Sequence, residues 1–161
     1  MSSEYLEIFK CLWTQRSPEF NGRFYSFNGI QLNPKPVQKP HIPIWVGGHS
    51  RRAIRRSVLH GDAWHPSRQT PEYVKRQLPY LRRTAEELGR DPNEITISLK
   101  RSLHFTDIGV VESEGTRSKA AIVDTTQRVI DDIRQCHNLG IHQLTYDFRT
   151  TNVDNYIRVM E

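Results

Sequence analysis

Cysteine is almost missing from this chain, and long apolar runs are missing altogether. Cys11 and Cys136 are the only two cysteines, and they match no metal or redox spacing. They are therefore read as reduced thiols of a cytosolic protein. No hydrophobic stretch approaches the roughly 20 residues that a membrane helix needs. Residues 1–7 are too polar and acidic for a signal peptide. The expectation is a cytoplasmic chain that enters no membrane. The histidines His41, His60, His104, His137 and His142 show no metal-ligand spacing, and no nucleophile signature of the Ser/His/Asp or Cys/His kind occurs. No bound metal is expected.

What is present is ordinary in bulk and uneven in detail. The 161 residues are 36% hydrophobic and 25% charged, with a formal net charge of +5. That is enough chain for one domain, residues 1–161, with a real core. The only dense basic cluster is Arg51, Arg52, Arg55 and Arg56. Such a cluster can be a solvated helix face or can meet an anion. No aromatic interleaving or nucleic-acid module surrounds it, so the expectation is no nucleic-acid partner; salt-dependent binding to a duplex would support the opposite.

The most informative stretch is Pro43-Ile44-Trp45-Val46-Gly47-Gly48-His49-Ser50, an apolar run that stops on two glycines and opens a helix. Glycines allow close approach to backbone N–H groups, and a helix N-terminus carries partial positive charge. Ser50 is a good N-cap. Ala53, Ile54, Ser57 and Val58 make a packing face, with the arginines on the other. Arg51 and Arg52 in the first turn oppose the macrodipole unless something negative is near. A phosphate-bearing ligand would remove that penalty; the alternative is that the glycines merely end a strand.

Periodicity supplies the remaining elements. A helix is predicted over 3–13. A hairpin containing Phe20, Gly22, Phe24, Tyr25 and Phe27 follows, and then a Pro-rich lead-in, which could alternatively be an SH3-type ligand. Strands are predicted over 42–46, 61–66, 95–105 and 141–148. Helices are predicted over 50–60, from Thr70 as N-cap to Gly89 with a kink or break at Pro79, and from an Asp124/Gln127 capping box to Gly140. Residues 109–121 read as a loop and 150–161 as a short helix. Alternating strands and helices imply a parallel sheet, and hence the α/β class.

Leu12-Trp13-Thr14, Phe20-x-Gly22-x-x-Tyr25, Pro34-Lys35-Pro36-Val37-Gln38-Lys39-Pro40, Pro43 to Gly48, Gly61-Asp62-Ala63-Trp64 and Gly89-Arg90-Asp91-Pro92 follow one another in this order. Together they resemble the bacterial luciferase-like monooxygenases, more narrowly the branch that uses coenzyme F420. The resemblance implies a partial (β/α)8 barrel of about four parallel strands, the family's strands five to eight, since a whole barrel takes about 250 residues. It implies a component or fragment of a flavin- or deazaflavin-dependent oxidoreductase that contributes the cofactor's phosphate-binding half. The alternative is a non-catalytic scaffold that binds a cofactor or partner. The cofactor implied is F420, with FMN as the alternative; the Pro-Lys-Pro-Val-Gln wording favours F420.

By the same resemblance, Gly47, Gly48 and the backbone of His49 and Ser50 match the segment that contacts the cofactor tail. Asp62 and Trp64 match a Gly-Asp-Gly-Trp motif in which Ala63 replaces the second glycine. Asp62 could be structural or catalytic, and Trp64 is read as core. Trp45, Arg51, Asp62, Trp64 and His65 are candidate lining residues. His49 and His65 both follow strands, where either could donate to a phosphate, act as an acid or simply hold structure. No catalytic residue or substrate is assigned.

Half a barrel is expected to leave an apolar sheet face bare. About 1,000 Å² of it would forgo on the order of 25 kcal/mol. The expected partner is a second copy of the chain or a separately encoded N-terminal half, unless the chain is a piece cut from a longer protein.

Overall fold

The computed structural model describes residues 2–105 and 122–148, with 154 and 157. The predicted loop over 109–121 lies outside them. Of the predicted terminal helix, only Asp154 and Ile157 are described, both helical.

Helix α1 (Ser2–Thr14) is followed by a two-stranded antiparallel hairpin, β1 (Phe20–Asn21) and β2 (Ser26–Phe27). A buried carboxylate joins the two: Glu4 on α1 accepts from Phe24 N at 3.0 Å and from Tyr25 N at 3.2 Å. Gly22 leaves room for it, because a Cβ there would lie 1.7 Å from Glu4 Oε1.

The main sheet contains β3 (Trp45–Gly47), β4 (Ala63–His65), β5 (Thr96–Phe105) and β7 (Gln143–Phe148), all parallel and paired in that order. These are the four predicted strands. A three-residue strand, β6 (Ile122–Asp124), adds to the carboxyl end of β5. β3 begins later than its predicted start at 42. Pro43 has no N–H to give, and the N–H of Ile44 goes to the Asp62 carboxylate at 2.6 Å instead of to a neighbouring strand.

Helices α2 (Arg51–His60), α3 (Pro71–Glu87) and α4 (Thr126–Asn138) connect the strands. Ser50 and Thr70 cap α2 and α3 through their side chains, as their positions before the apolar faces require. α3 runs unbroken through Pro79, contrary to the predicted break as far as a split is concerned. Pro79 is exposed, so water can serve the carbonyl it leaves, while buried Leu78 and Leu81 anchor both sides. The Asp124/Gln127 box does not form. β6 carries the chain through Asp124, Thr125 becomes the N-cap but makes no side-chain bond to the helix N-terminus, and Gln127 bonds Asp131 at 3.1 Å.

All three helices pack on one face of the sheet. Ile54 and Val58 of α2, Val74, Leu78, Leu81 and Ala85 of α3, and Cys136 of α4 form one core with Trp64, Ile97 and Leu99. Strands in sequential order with every helix on one side form a barrel arc; a doubly wound sheet would carry helices on both sides. The other face is inward. Register pairs Trp45 with Ala63, Gly47 with His65, Ser98 with Gln143, Lys100 with Thr145 and Ser102 with Asp147 on it. That face is mostly polar, which corrects the expectation of a bare apolar sheet.

Arg90, from the Gly-Arg-Asp-Pro segment, reaches back to the C-terminus of α2. Its Nη1 donates to Val58 O at 2.8 Å and Gly61 O at 2.6 Å, serving carbonyls that the helix leaves unpaired. Arg90→Ala should therefore cost about 1.5–3 kcal/mol, read as a lower urea midpoint. A midpoint equal to wild type would refute this role.

Candidate active site

The carboxyl ends of β3 and β4 bring together Trp45, Gly47, Gly48, His49, Ser50, Trp64 and His65. Gly47 lies on the inner face opposite His65, and a Cβ added at Gly47 would meet nothing within 4 Å. Gly48 has φ +115°, a left-handed conformation that favours glycine, and a Cβ there would sit 3.0 Å from Ala53 Cβ.

The turn is tied down through its carbonyls. Trp64 Nε1 donates to Gly48 O at 2.8 Å, and the Tyr73 hydroxyl donates to His49 O. Gly48 N donates to His65 O at 3.3 Å. Ser50 Oγ is taken up by its own helix, accepting from Ala53 N at 3.3 Å. Among the described residues, the N–H groups of His49 and Ser50 have no acceptor. With carbonyls bound behind and N–H groups left over at a helix N-terminus, the turn has the backbone arrangement of an anion nest.

Two predicted residues stand elsewhere. Asp62 sits at the amino end of β4, where its carboxylate holds Ile44 N and lies 3.8 Å from His41 Nδ1. Arg51 turns onto α3, with its guanidinium 5.0 Å from the Tyr80 ring centre. That cation–π contact gives it a partner away from the turn. Trp45 is 40% exposed on the inner face, its ring 5.9 Å from that of His65.

Sequence reasoning passed over the polar row beside the turn. His65 Nδ1 is 2.9 Å from Ser98 Oγ. Lys100 Nζ is 3.5 Å from Asp147 Oδ2. Burial, and then the Lys100 charge, lower the pKa of His65 below the ordinary histidine value. The available signal was the alternation Thr96, Ser98, Lys100 against Ile95, Ile97, Leu99. In a barrel strand, the polar set of such an alternation can face a ligand rather than water. Tyr73 carried no such signal, because its contact with His49 crosses from a different helix.

An arc of sequential parallel strands, with helices outside, polar residues inside and a glycine turn at the carboxyl ends, is part of an α/β barrel, a fold whose sites lie at that end. The chain belongs to the luciferase-like monooxygenase family, whose model matches residues 1–108. Among curated relatives, it is 36% identical over 88 residues to an FMNH2-dependent dimethylsulfone monooxygenase of Pseudomonas putida, covering 55% of this chain and 24% of that protein. It is 49% identical over 119 residues to an uncharacterised protein of Mycobacterium tuberculosis, covering 70% of this chain and 42% of the other. The chain thus spans about a quarter to two fifths of the length of these relatives.

Solved structures agree on the fold. An F420-dependent secondary alcohol dehydrogenase, in complex with an F420-acetone adduct, superposes with a TM-score of 0.80 at 15% identity, over 99% of this chain and 59% of its own. A long-chain alkane monooxygenase gives a TM-score of 0.74 at 12% identity, over 99% and 53%. Among these proteins, one is named for FMNH2 and another for F420.

Proposed function

We propose that this chain supplies the tail-binding part of a flavin or deazaflavin site in a luciferase-like oxidoreductase. The observation that carries this reading is the turn at residues 47–50, with two carbonyls held from behind, two N–H groups left over and open space at Gly47. The residues fit an anionic, extended group: Gly47 admits it, and His49 N and Ser50 N donate to it. Bound there, reduced F420 or FMN would supply hydride or activate oxygen, while the chain's own residues hold the tail. The Pro-Lys-Pro-Val-Gln segment favours F420 over FMN. Completing the ring around the cofactor calls for a partner, either a second copy or a separate N-terminal half; light scattering tests this and a stable monomer opposes it.

Gly47→Val tests the cradle more cleanly than Gly48→Val, which strains a left-handed backbone and crowds Ala53. The valine at 47 has room in a strand, so folding should be unchanged. It would occupy the approach to the backbone. Fluorescence titration of F420 and FMN is expected to show at least about tenfold weaker binding, the worth of roughly 1.4 kcal/mol, at an unaltered melting temperature. Arg55→Ala should change binding far less. Equal affinity of wild type and Gly47→Val would refute the cradle.

A further inference from the structure

We infer that His65 is a specificity-determining residue of this site, a neutral imidazole that offers its Nε2–H to an acceptor oxygen on the ligand tail. The inference rests on the reading of the 47–50 turn as the tail cradle and adds a side chain to it.

Three observations lead there. His65 is the register partner of Gly47 across the β3–β4 ladder, and its carbonyl accepts the Gly48 N–H. Adjacent strands lie about 4.8 Å apart, so a ligand on Gly47 reaches the His65 ring. The ring stands on the inner face beside exposed Trp45, open to whatever occupies that face. The tautomer follows from Ser98. Its side chain is fully buried, and among the described residues its only hydrogen-bond partner is His65 Nδ1. A buried hydroxyl must spend its proton on an acceptor. Ser98 therefore donates to Nδ1, which leaves the ring proton on Nε2. Among the described residues, Nε2 has no partner of its own. Burial and the Lys100 ammonium oppose a second proton on the ring, so His65 acts as a single directed donor rather than as a cation. Ser98 is a positioning residue.

The acceptor is a phosphate oxygen or a ribityl hydroxyl, and the ligands FMN and riboflavin separate the two. Nitrogen-15 NMR of labelled histidine, assigned with His65→Ala, reads the tautomer without any ligand. At neutral pH the wild type should show the proton on Nε2 of His65. Ser98→Ala should give a mixture, and Ser98→Thr should restore it. FMN should shift the His65 nitrogens, and His65→Ala should weaken FMN binding by about threefold to tenfold, the worth of one hydrogen bond. A matching loss with riboflavin assigns the contact to the ribityl chain; a loss confined to FMN assigns it to phosphate. A proton found on Nδ1, or FMN binding that leaves the His65 nitrogens and affinity untouched, overturns this inference while the cradle stands. If neither FMN nor F420 binds the wild type, the cradle reading falls and His65 with it.

Discussion

Asp132→Ala should destabilise the protein by about 3 kcal/mol, because it removes a carboxylate that faces and hydrogen-bonds a buried guanidinium. Arg101 on β5 is 5% exposed, and its Nη1 donates to Asp132 Oδ1 on α4. Burial raises the pKa of Asp132 above its ordinary value, and the facing guanidinium pulls it back. Glu72 at the start of α3 accepts from Gln135 of α4 at 2.5 Å. Among the described residues of α4, Cys136 is the buried one, while Ile130 and Ile133 stand exposed. Losing the carboxylate should therefore free α4 before the rest of the sheet melts. Cys136 reports this directly. Its thiol is inaccessible, and burial pushes its pKa up to about 12, so alkylation should be slow in the wild type and fast in the variant. Arg101→Met combined with Asp132→Leu should recover most of the loss. If Asp132→Ala unfolds in urea within 1 kcal/mol of wild type, the pair does not hold α4.

Legibility in the sequence followed the physics of each element. The strands that became β3, β4, β5 and β7 are apolar on the helix side apart from Arg101 and the Tyr146 hydroxyl, and α2 and α3 carry side-chain N-caps. Local pattern and local chemistry agree there, so these elements could be read directly. The start of α4 could not, because β6 pairs with the far end of β5 and displaces the cap by one residue. That is a nonlocal contact with no local signature. The glycine turn was visible as a motif, but its state was not. Whether Gly47 or Gly48 is the open position depends on Ala53 packing beneath one and not the other. The inner face was misjudged because alternation alone says that one face of β5 is polar, not what that polar face meets. Lys100 and Asp147 lie on different strands, joined only by register.

The fold and the site meet at Trp64, where the second large effect is expected. Its side chain is 0% exposed on the helix side of β4, packed among residues of α2 and α3. Trp64→Ala should cost about 3–5 kcal/mol through lost burial and the cavity left behind. The more instructive variant is Trp64→Phe, which keeps most of the ring volume and removes Nε1. The Gly48 carbonyl, half-buried, then loses the donor 2.8 Å away, at a cost of about 0.5–1.5 kcal/mol for the lost hydrogen bond. That carbonyl is one of the two that hold the turn with its N–H groups left over, and Tyr73 holds the other. A carbonyl set free can rotate toward the cradle, where it would repel the anion that the proposed reading places on His49 N and Ser50 N. Trp64→Phe should thus weaken FMN binding by more than its stability loss explains, and Tyr73→Phe should do the same at smaller cost to the core. Titrations of both variants well below their melting temperatures separate the two effects. If Trp64→Phe loses stability but keeps wild-type FMN affinity, the tryptophan serves packing alone and the turn is preorganised without it.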